Sequence, residues 1–347
     1  MFSVLRPFLF NLDPETAHDF AIKSLKYNPL PGKMFEVEDE NILEIKIFGK
    51  IFPNPIGIAA GFDKSAEVYN SLLRLGFGFV EVGTVTPLKQ YGNPKPRIFR
   101  LEEDKALINR LGFNNDGMKI VKKRIQSNGK NGILGINIGP NKETKEKKND
   151  FCLCLENFFD IADYITINIS SPNTEGLRDF HEKQKLDDLL TSLNKVKKDK
   201  KTNTPLLLKI SPDIKDNYIS EIVDQAIKND ISALILTNTT NINRENLFYK
   251  NKEEGGLSGE PLQKISTTVI KKFYKQLNGK IPIIGVGGVD SGKSAYEKIL
   301  AGASLIQLYT GFVYRGPVAA KNIKRELIQI LKSDGVKNIK DLVGKGN

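Results

Sequence analysis

Histidine and cysteine are scarce in this chain of 347 residues, and their scarcity excludes several chemistries at once. His18 and His181 are the two histidines, too few for a histidine-rich metal centre and poor material for Ser-His-Asp catalysis. The two cysteines, Cys152 and Cys154, stand one residue apart, a spacing that suits neither a zinc pair nor an easy disulfide and points to a reducing compartment. No uncharged apolar run approaches ~20 residues, so no transmembrane helix is expected. Met1 to Phe10 is apolar but broken by Arg6 and Pro7, and no small-residue cleavage site follows, so no secretory signal is expected either. The net charge of +11 raises the question of nucleic acid. Its lysines gather in stretches read as loops, Lys142 to Lys148 and Lys195 to Lys201, mixed with Glu, Asp and Asn and without interleaved aromatics. These read as solvated surface, and no nucleic-acid partner is expected.

What is present is a repeat of short apolar runs and amphipathic stretches. Ile56 to Ala59, Phe79 to Val82, Ile133 to Ile136, Tyr164 to Ile167, Leu206 to Lys209, Ala233 to Leu236, Ile281 to Gly285 and Leu305 to Leu308 read as strands. Helical patterns follow them, among them Ser65 to Leu75, Asp216 to Lys228, Pro261 to Gln276 and Ser291 to Ala301. Eight βα units predict an α/β fold, a (β/α)8 TIM barrel, which at ~250 residues fills most of the chain. Gly57 to Gly61 does not supply the G-x-G-x-x-G that a dinucleotide-binding open sheet requires after its first strand. Ile42 to Phe52 reads as a hairpin turning at Gly49-Lys50 and plugging the barrel base. Before it, Asp13 and Pro14 open a helix with a stripe of Ala17, Phe20, Ala21, Ser24 and Leu25. The chain thus divides into an N-terminal helical segment, 1–40, and a barrel, 41–347. The segment suits two roles, lying on a bilayer face with its basic edges or capping the barrel bottom.

Barrel enzymes carry their chemistry at the C-terminal ends of the strands. Those ends hold Ala60, Gly61, Thr84, Asn137, Asn168, Lys209, Thr237, Asn238, Gly288, Tyr309 and Thr310. They lack the acidic clusters that hold Mg²⁺ and the paired carboxylates of glycosidases. Neutral amides and hydroxyls with one lysine suit a planar heterocycle with amide-like edges. Gly285, Gly287 and Gly288, after the seventh strand, suit a phosphate.

Six segments in order carry a specific likeness: Ala59 to Lys64 (AAGFDK), Ile108 to Asn115 (INRLGFNN), Ile167 to Arg178 (INISSPNTEGLR), Thr237 to Thr240 (TNTT), Gly255 to Gly259 (GGLSG) and Ile283 to Gly288 (IIGVGG). From about residue 5 to residue 330 the chain resembles the dihydroorotate dehydrogenases. It resembles their quinone-dependent, membrane-associated class, through Asp13 to His18 (DPETAH) and through Ser171 where the other class has cysteine. The resemblance implies oxidation of (S)-dihydroorotate to orotate in pyrimidine (UMP) biosynthesis. A proton would leave C5 and a hydride would pass from C6 to FMN, the electrons continuing to a membrane quinone. It implies FMN held by Ala60, Gly61, Lys64, Thr84, Asn137, Asn168, Lys209, Thr237, Gly259, Gly288, Tyr309 and Thr310. The pyrimidine falls to Lys64, Asn109, Arg110, Leu111, Gly112, Phe113, Asn168, Asn173, Asn238 and Thr239. Ser171 is the implied base, Thr174 its proton relay and Phe113 its shield, within a lid at Ser170 to Asp179. His18 is placed at the mouth of a quinone tunnel with Arg100 and Tyr309 deeper in. His181 is expected on the surface. The implied location is peripheral, on the cytoplasmic face of a bacterial inner membrane. Two alternatives stand beside this: a cytosolic relative using fumarate or NAD, and a binding module on an inactive barrel.

Overall fold

In the computed structural model, residues 2–27, 31–38, 40–242, 244–245, 247–248 and 253–347 are described. Eight parallel strands close into a barrel in the order β10-β12-β13-β3-β4-β7-β8-β9. They are β3 (Ile56–Ile58), β4 (Phe79–Val85), β7 (Ile133–Ile138), β8 (Tyr164–Asn168), β9 (Leu206–Ile210), β10 (Ala233–Leu236), β12 (Ile283–Val286) and β13 (Ala303–Leu308). Every residue of β3, β4, β7, β8, β9, β10 and β12 is buried, as expected of strands covered on both faces. All eight expected strands are therefore present.

The covering helices are α3 (Tyr69–Arg74), α4 (Met118–Asn128), α5 (Lys147–Phe158), α6 (Lys183–Asp199), α7 (Asp216–Lys228), α8 (Gln263–Leu277), α9 (Gly292–Leu300), α10 (Thr310–Arg315) and α11 (Ala319–Ser333). The expected helix from Ser65 shortens to α3, because the Asp63 carboxylate accepts the backbone N–H groups of Glu67 (2.7 Å) and Val68 (2.8 Å) and holds a turn there. A capping box at Ser291 and Ser294 starts α9. The lysine stretches read as loops fall partly in helices: Lys147 and Lys148 open α5, and Lys195 to Lys198 end α6. Cys152 and Cys154 both lie on α5, with Cys154 buried.

The base of the barrel is filled by aromatic rings. β1 (Ile45–Ile47) and β2 (Lys50–Phe52) form the expected hairpin. Its turn is Phe48-Gly49, both at positive φ (55° and 71°), one residue earlier than expected. Phe52 meets Phe79 edge-on at 5.4 Å, and Phe48 lies 6.3 Å from the Tyr164 ring. Glycines make room for these rings. A Cβ on Gly57 would come within 2.4 Å of the Phe79 ring, and one on Gly135 within 2.1 Å of Tyr164.

Two features surround the opposite, C-terminal mouth. One is a three-stranded antiparallel sheet that periodicity did not reveal, β5 (Ile98–Leu101), β6 (Ala106–Asn109) and β11 (Gly256–Gly259), with its own apolar cluster around Leu101, Ile108 and Leu257. The other is the N-terminal helix pair, α1 (Phe2–Phe10) and α2 (Pro14–Tyr27). Asp13 caps α2 as expected, its Oδ1 accepting from the N–H groups of Glu15 and Thr16 at 3.0 Å each. The pair packs on α10, α3 and β5, beside the mouth, so the reading of a cap on the barrel bottom is corrected. The inward stripe also differs: Ile22 is buried and Leu25 half-buried, while Phe20 and Ser24 are exposed. Glu15 is buried too, and it explains the docking. Arg97 donates to both of its oxygens (Nε 3.0 Å, Nη2 2.6 Å), and its Nη1 donates to the carbonyls of Tyr91 and Asn93. A fully hydrogen-bonded bidentate pair is the form in which two charges tolerate burial.

The aromatic plug generates a stability prediction. Phe52→Ala leaves a void under the barrel and should lower the unfolding free energy by about 3–5 kcal/mol, measured by denaturant unfolding. A loss well under 1 kcal/mol would show that the hairpin does not plug the base.

Candidate active site

At the base of the site lies one carboxylate. Glu81, in the middle of β4, is fully buried inside the barrel. Four side chains donate to it: Asn137 Nδ2 (2.8 Å), Tyr164 OH (3.2 Å), Thr166 Oγ1 (3.1 Å) and Gln307 Nε2 (2.9 Å). With its NH₂ donating downward to Glu81, Asn137 presents its oxygen upward. That oxygen accepts from Thr84 Oγ1 (2.6 Å) and Asn168 Nδ2 (3.2 Å). The Asn168 oxygen, oriented in turn, accepts from Ser170 Oγ (3.1 Å), while Asn238 Nδ2 donates to Ser170 Oγ (3.0 Å). Lys209 is buried close enough to Glu81 to feel its charge. Burial draws the lysine's pKa below its ordinary value and Glu81 partly offsets that.

Above this network opens a cavity of ≈ 1130 Å³, its open mouth included. Most of the residues expected at the site line it: Ala60, Gly61, Lys64, Thr84, Asn109, Leu111, Gly112, Phe113, Asn168, Ser171, Asn173, Lys209, Thr237, Asn238, Thr239, Gly259, Gly288, Tyr309 and Thr310. Three expected residues stand outside its wall. Asn137 lies one layer below, acting through Thr84 and Asn168. Arg110 turns away, paired with Glu253 at 2.7 Å and stacked over Phe99 at 4.7 Å. Thr174 is buried three residues beyond Ser171 without reaching the cavity wall.

The sheet β5-β6-β11 forms part of the cavity wall with Ile98, Leu107 and Ser258. Asn173 Nδ2 donates to the Asn109 carbonyl at 3.1 Å, joining the loop after β8 to this sheet. Arg178 holds the same loop from behind, donating to the carbonyls of Ser170 and Thr239 (3.2 Å each) and pairing with Asp213 at 3.0 Å. His181 is buried here, which corrects the surface expectation. Its Nδ1 bonds the Arg178 carbonyl at 2.8 Å and its Nε2 accepts from the Ser211 N–H. Burial pulls its pKa down to about 4.

On the side of α2, Lys64 Nζ donates to His18 Nε2 at 3.2 Å, and the His18 ring meets Phe62 edge-on at 5.1 Å. Phe62 in turn faces Tyr309 at 6.1 Å. Burial and the Lys64 charge hold His18 well below its ordinary pKa, so it is neutral at pH 7, and burial draws Lys64 down to about 8. Arg100 is elsewhere: it donates to the carbonyls of Phe10 and Leu12 and lies 4.8 Å over the Phe10 ring. Among the described residues, His18 and Arg100 border different hollows on either side of α2.

Sequence reasoning missed Glu81, Arg97 and Glu15. The signal for Glu81 was available as a lone carboxylate inside a continuous apolar strand, FVEVGTV. The Arg97–Glu15 pair joins positions 82 residues apart and left no local trace.

The comparisons with known proteins agree with one another. A family model described as dihydroorotate dehydrogenase matches residues 42–331. The chain is 48% identical over 342 residues to a protein of Bartonella tribocorum named dihydroorotate dehydrogenase (quinone), covering 97% of this chain and 94% of that one. It is likewise 48% identical over 337 residues to the protein of the same name from Christiangramia forsetii, covering 94% and 98%. Among solved structures, DHODH from Eimeria tenella in complex with ferulenol superposes with a TM-score of 0.91 at 39% identity, covering 96% of this chain and 95% of that one.

Buried His181 sets a pH dependence. The unfolded chain binds its proton below about pH 6.5 and the folded chain only below about 4, so stability falls as pH drops through that window and levels off beneath it. In His181→Gln this part of the acid-side loss should vanish from urea unfolding measured between pH 7 and 4. An unchanged profile would mean that the ring is protonated in place.

Proposed function

The chain belongs to the dihydroorotate dehydrogenase family, and from that membership we infer its reaction. It is an oxidoreductase that converts (S)-dihydroorotate to orotate in pyrimidine (UMP) biosynthesis and delivers the electrons to a quinone. The single observation that carries the reading into this chain is its cavity. One hollow joins Ser171, Lys64 and the amides Asn109, Asn173 and Asn238 to the glycines and hydroxyls at the ends of β12 and β13. A relative using fumarate or NAD is not favoured, since the similar proteins carry the quinone name.

The cofactor of this reading is FMN, and the residues fit it. Gly287 and Gly288 hold positive φ (112° and 72°) where the cavity ends, leaving backbone exposed to a phosphate. The Glu81-ordered amides offer fixed donors and acceptors to a flavin's pyrimidine edge. Ala60, Gly61, Lys64, Thr84, Asn168, Lys209, Thr237, Gly259, Gly288, Tyr309 and Thr310 would hold it, with Asn137 acting from below. Bound there, it supplies hydride acceptance and passes electrons on to quinone.

The chain's own groups do the rest. Lys64 meets the substrate carboxylate, and the asparagines match imide edges with paired donors and acceptors. Ser171, buried and shielded by Phe113, removes the C5 proton through its Oγ. Thr174 relays that proton outward along the loop. The ammonium of Lys209 stabilises negative charge that develops on the ring beside it.

The N-terminal segment, residues 1–40, is assigned to the membrane and the quinone, and residues 41–347 to the barrel. Among the described residues no helix is long and apolar enough to cross a membrane. α1, α2 and the turn between them nevertheless expose Leu5, Phe8, Leu12, Phe20 and Tyr27, with Arg6 and Lys23 among them. Such a face suits peripheral binding at the cytoplasmic side of a bacterial inner membrane. His18 and Tyr309, linked through the Phe62 ring, are assigned to the path by which a quinone reaches the cavity, while Arg100 stands apart from it over Phe10.

Two experiments test this reading. Ser171→Ala should keep its yellow flavin spectrum and its orotate affinity while flavin reduction by dihydroorotate slows by at least ~10²-fold in stopped flow. Reduction near wild-type speed would assign the base elsewhere. For the membrane role, deleting the segment is a poor choice because it strands buried Arg97. Phe8→Glu with Phe20→Glu leaves that pair intact. This variant should be reduced by dihydroorotate at the normal rate, bind anionic vesicles weakly and be reoxidised slowly by a long-chain quinone. Unimpaired reoxidation in vesicles would remove the segment from the quinone path.

A further inference from the structure

Lys298, on α9, is completely buried, and its ammonium meets neutral oxygens alone. It donates to Ser266 Oγ at 2.5 Å, to Thr267 Oγ1 at 3.1 Å and to the Gln263 carbonyl at 3.4 Å. Among the described residues no carboxylate lies within ion-pair distance of it. The adjacent Glu297 is engaged instead by the Gln263 amide at 2.9 Å. Burial draws the lysine down to about 7, and the charge of Glu297 offsets only part of that. A buried ammonium is expensive, and an apolar side chain would fill the same space between α8 and α9 without that cost. With neutral oxygens alone in contact with it, the ammonium stands to gain from an anion placed at the end of its hydrogen-bond chain.

The hydrogen bonds point to where such an anion sits. Ser266 Oγ, which accepts from Lys298, lies 3.0 Å from the Gly287 carbonyl and 3.1 Å from the Gln263 carbonyl, and its single hydrogen can be given to Gly287, the shorter of the two. That carbonyl and the N–H of Gly288 belong to one peptide group. A hydrogen bond to the carbonyl strengthens the N–H at the other end as a donor, and a charged first member strengthens the whole chain. The two glycines press directly on this assembly. A Cβ on Gly287 would come within 2.9 Å of Ser266 Oγ, and one on Gly288 within 2.5 Å of Gln263. Gly287 and Gly288 line the cavity at its phosphate end.

We propose that Lys298 is a positioning residue for the flavin phosphate, its charge carried through Ser266 and the Gly287–Gly288 peptide to the Gly288 N–H. The proposal rests on the reading of the cavity as an FMN site. Lys298 touches neither flavin nor substrate. It acts from behind the turn, and the bound phosphate is the anion at the end of its hydrogen-bond chain.

The test compares two flavins in the full-length holoenzyme. FMN released on dilution gives its Kd by recovered fluorescence, and riboflavin, which lacks the phosphate, is exchanged into the same site by excess. Lys298→Met should raise the Kd for FMN about tenfold or more, since it removes a charge-assisted contact, and that for riboflavin less than about twofold. Ser266→Ala keeps the charge but cuts the relay, and should weaken FMN several-fold with the same selectivity. Equal weakening of both flavins, or no weakening of either, overturns the proposal by making Lys298 a packing residue. Should Lys298→Met fail to fold, Ser266→Ala decides by the same comparison. Wild-type protein that binds no flavin at all would overturn the FMN reading itself and this inference with it. A normal flavin content without the FMN-selective loss overturns the inference alone.

Discussion

The whole upper half of the barrel takes its orientation from one carboxylate. Glu81 accepts from four donors at the barrel centre, and those bonds set the sense in which each amide above it points. Asn137 fixes Thr84 and Asn168, and Asn168 fixes Ser170. The residues that face the cavity are thus aligned before any ligand arrives. Alignment without reorganisation is what makes polar groups effective in a site that excludes water. The same carboxylate lies near Lys209, so one buried anion both orders the neutral amides and supports the cation among them.

A second charged pair performs a comparable role outside the barrel. Arg97 and Glu15 fasten α2 beside the mouth, and the Lys64–His18 contact extends the join to the cavity wall. Much of the apolar surface of α1 and α2 is thereby left facing outward, since the docking relies on a buried ion pair more than on a continuous apolar seam. Ile22 is buried, yet Phe8 and Phe20 remain exposed.

The eight barrel strands were legible because each is a local apolar run, and the strand ends follow once the runs are placed. The cavity wall was legible for the same reason, and from the quoted segments that resemble the family. Long-range pairing was not legible. β11 pairs with β6 across 147 residues, Gly256 opposite Asn109, and strands of four residues carry too little periodicity to be recognised alone. His181 was misjudged because the polar sequence around it looks solvated. In the structure its two ring nitrogens are satisfied by backbone, which is what permits its burial. The hairpin turn was misplaced by one residue because Phe48 adopts the left-handed conformation that sequence alone assigns to glycine or asparagine.

The rings of Phe48, Phe52, Phe79 and Tyr164 have a consequence for traffic through the molecule. With glycines cut back to admit them, they close the base with a layer of packed rings. Exchange with the cavity is left to the C-terminal rim, where the loop after β8, the extra sheet and the helix pair lie. The barrel is a one-ended vessel, and its surface chemistry is correspondingly sided: a floor closed by packed rings and a rim that serves exchange.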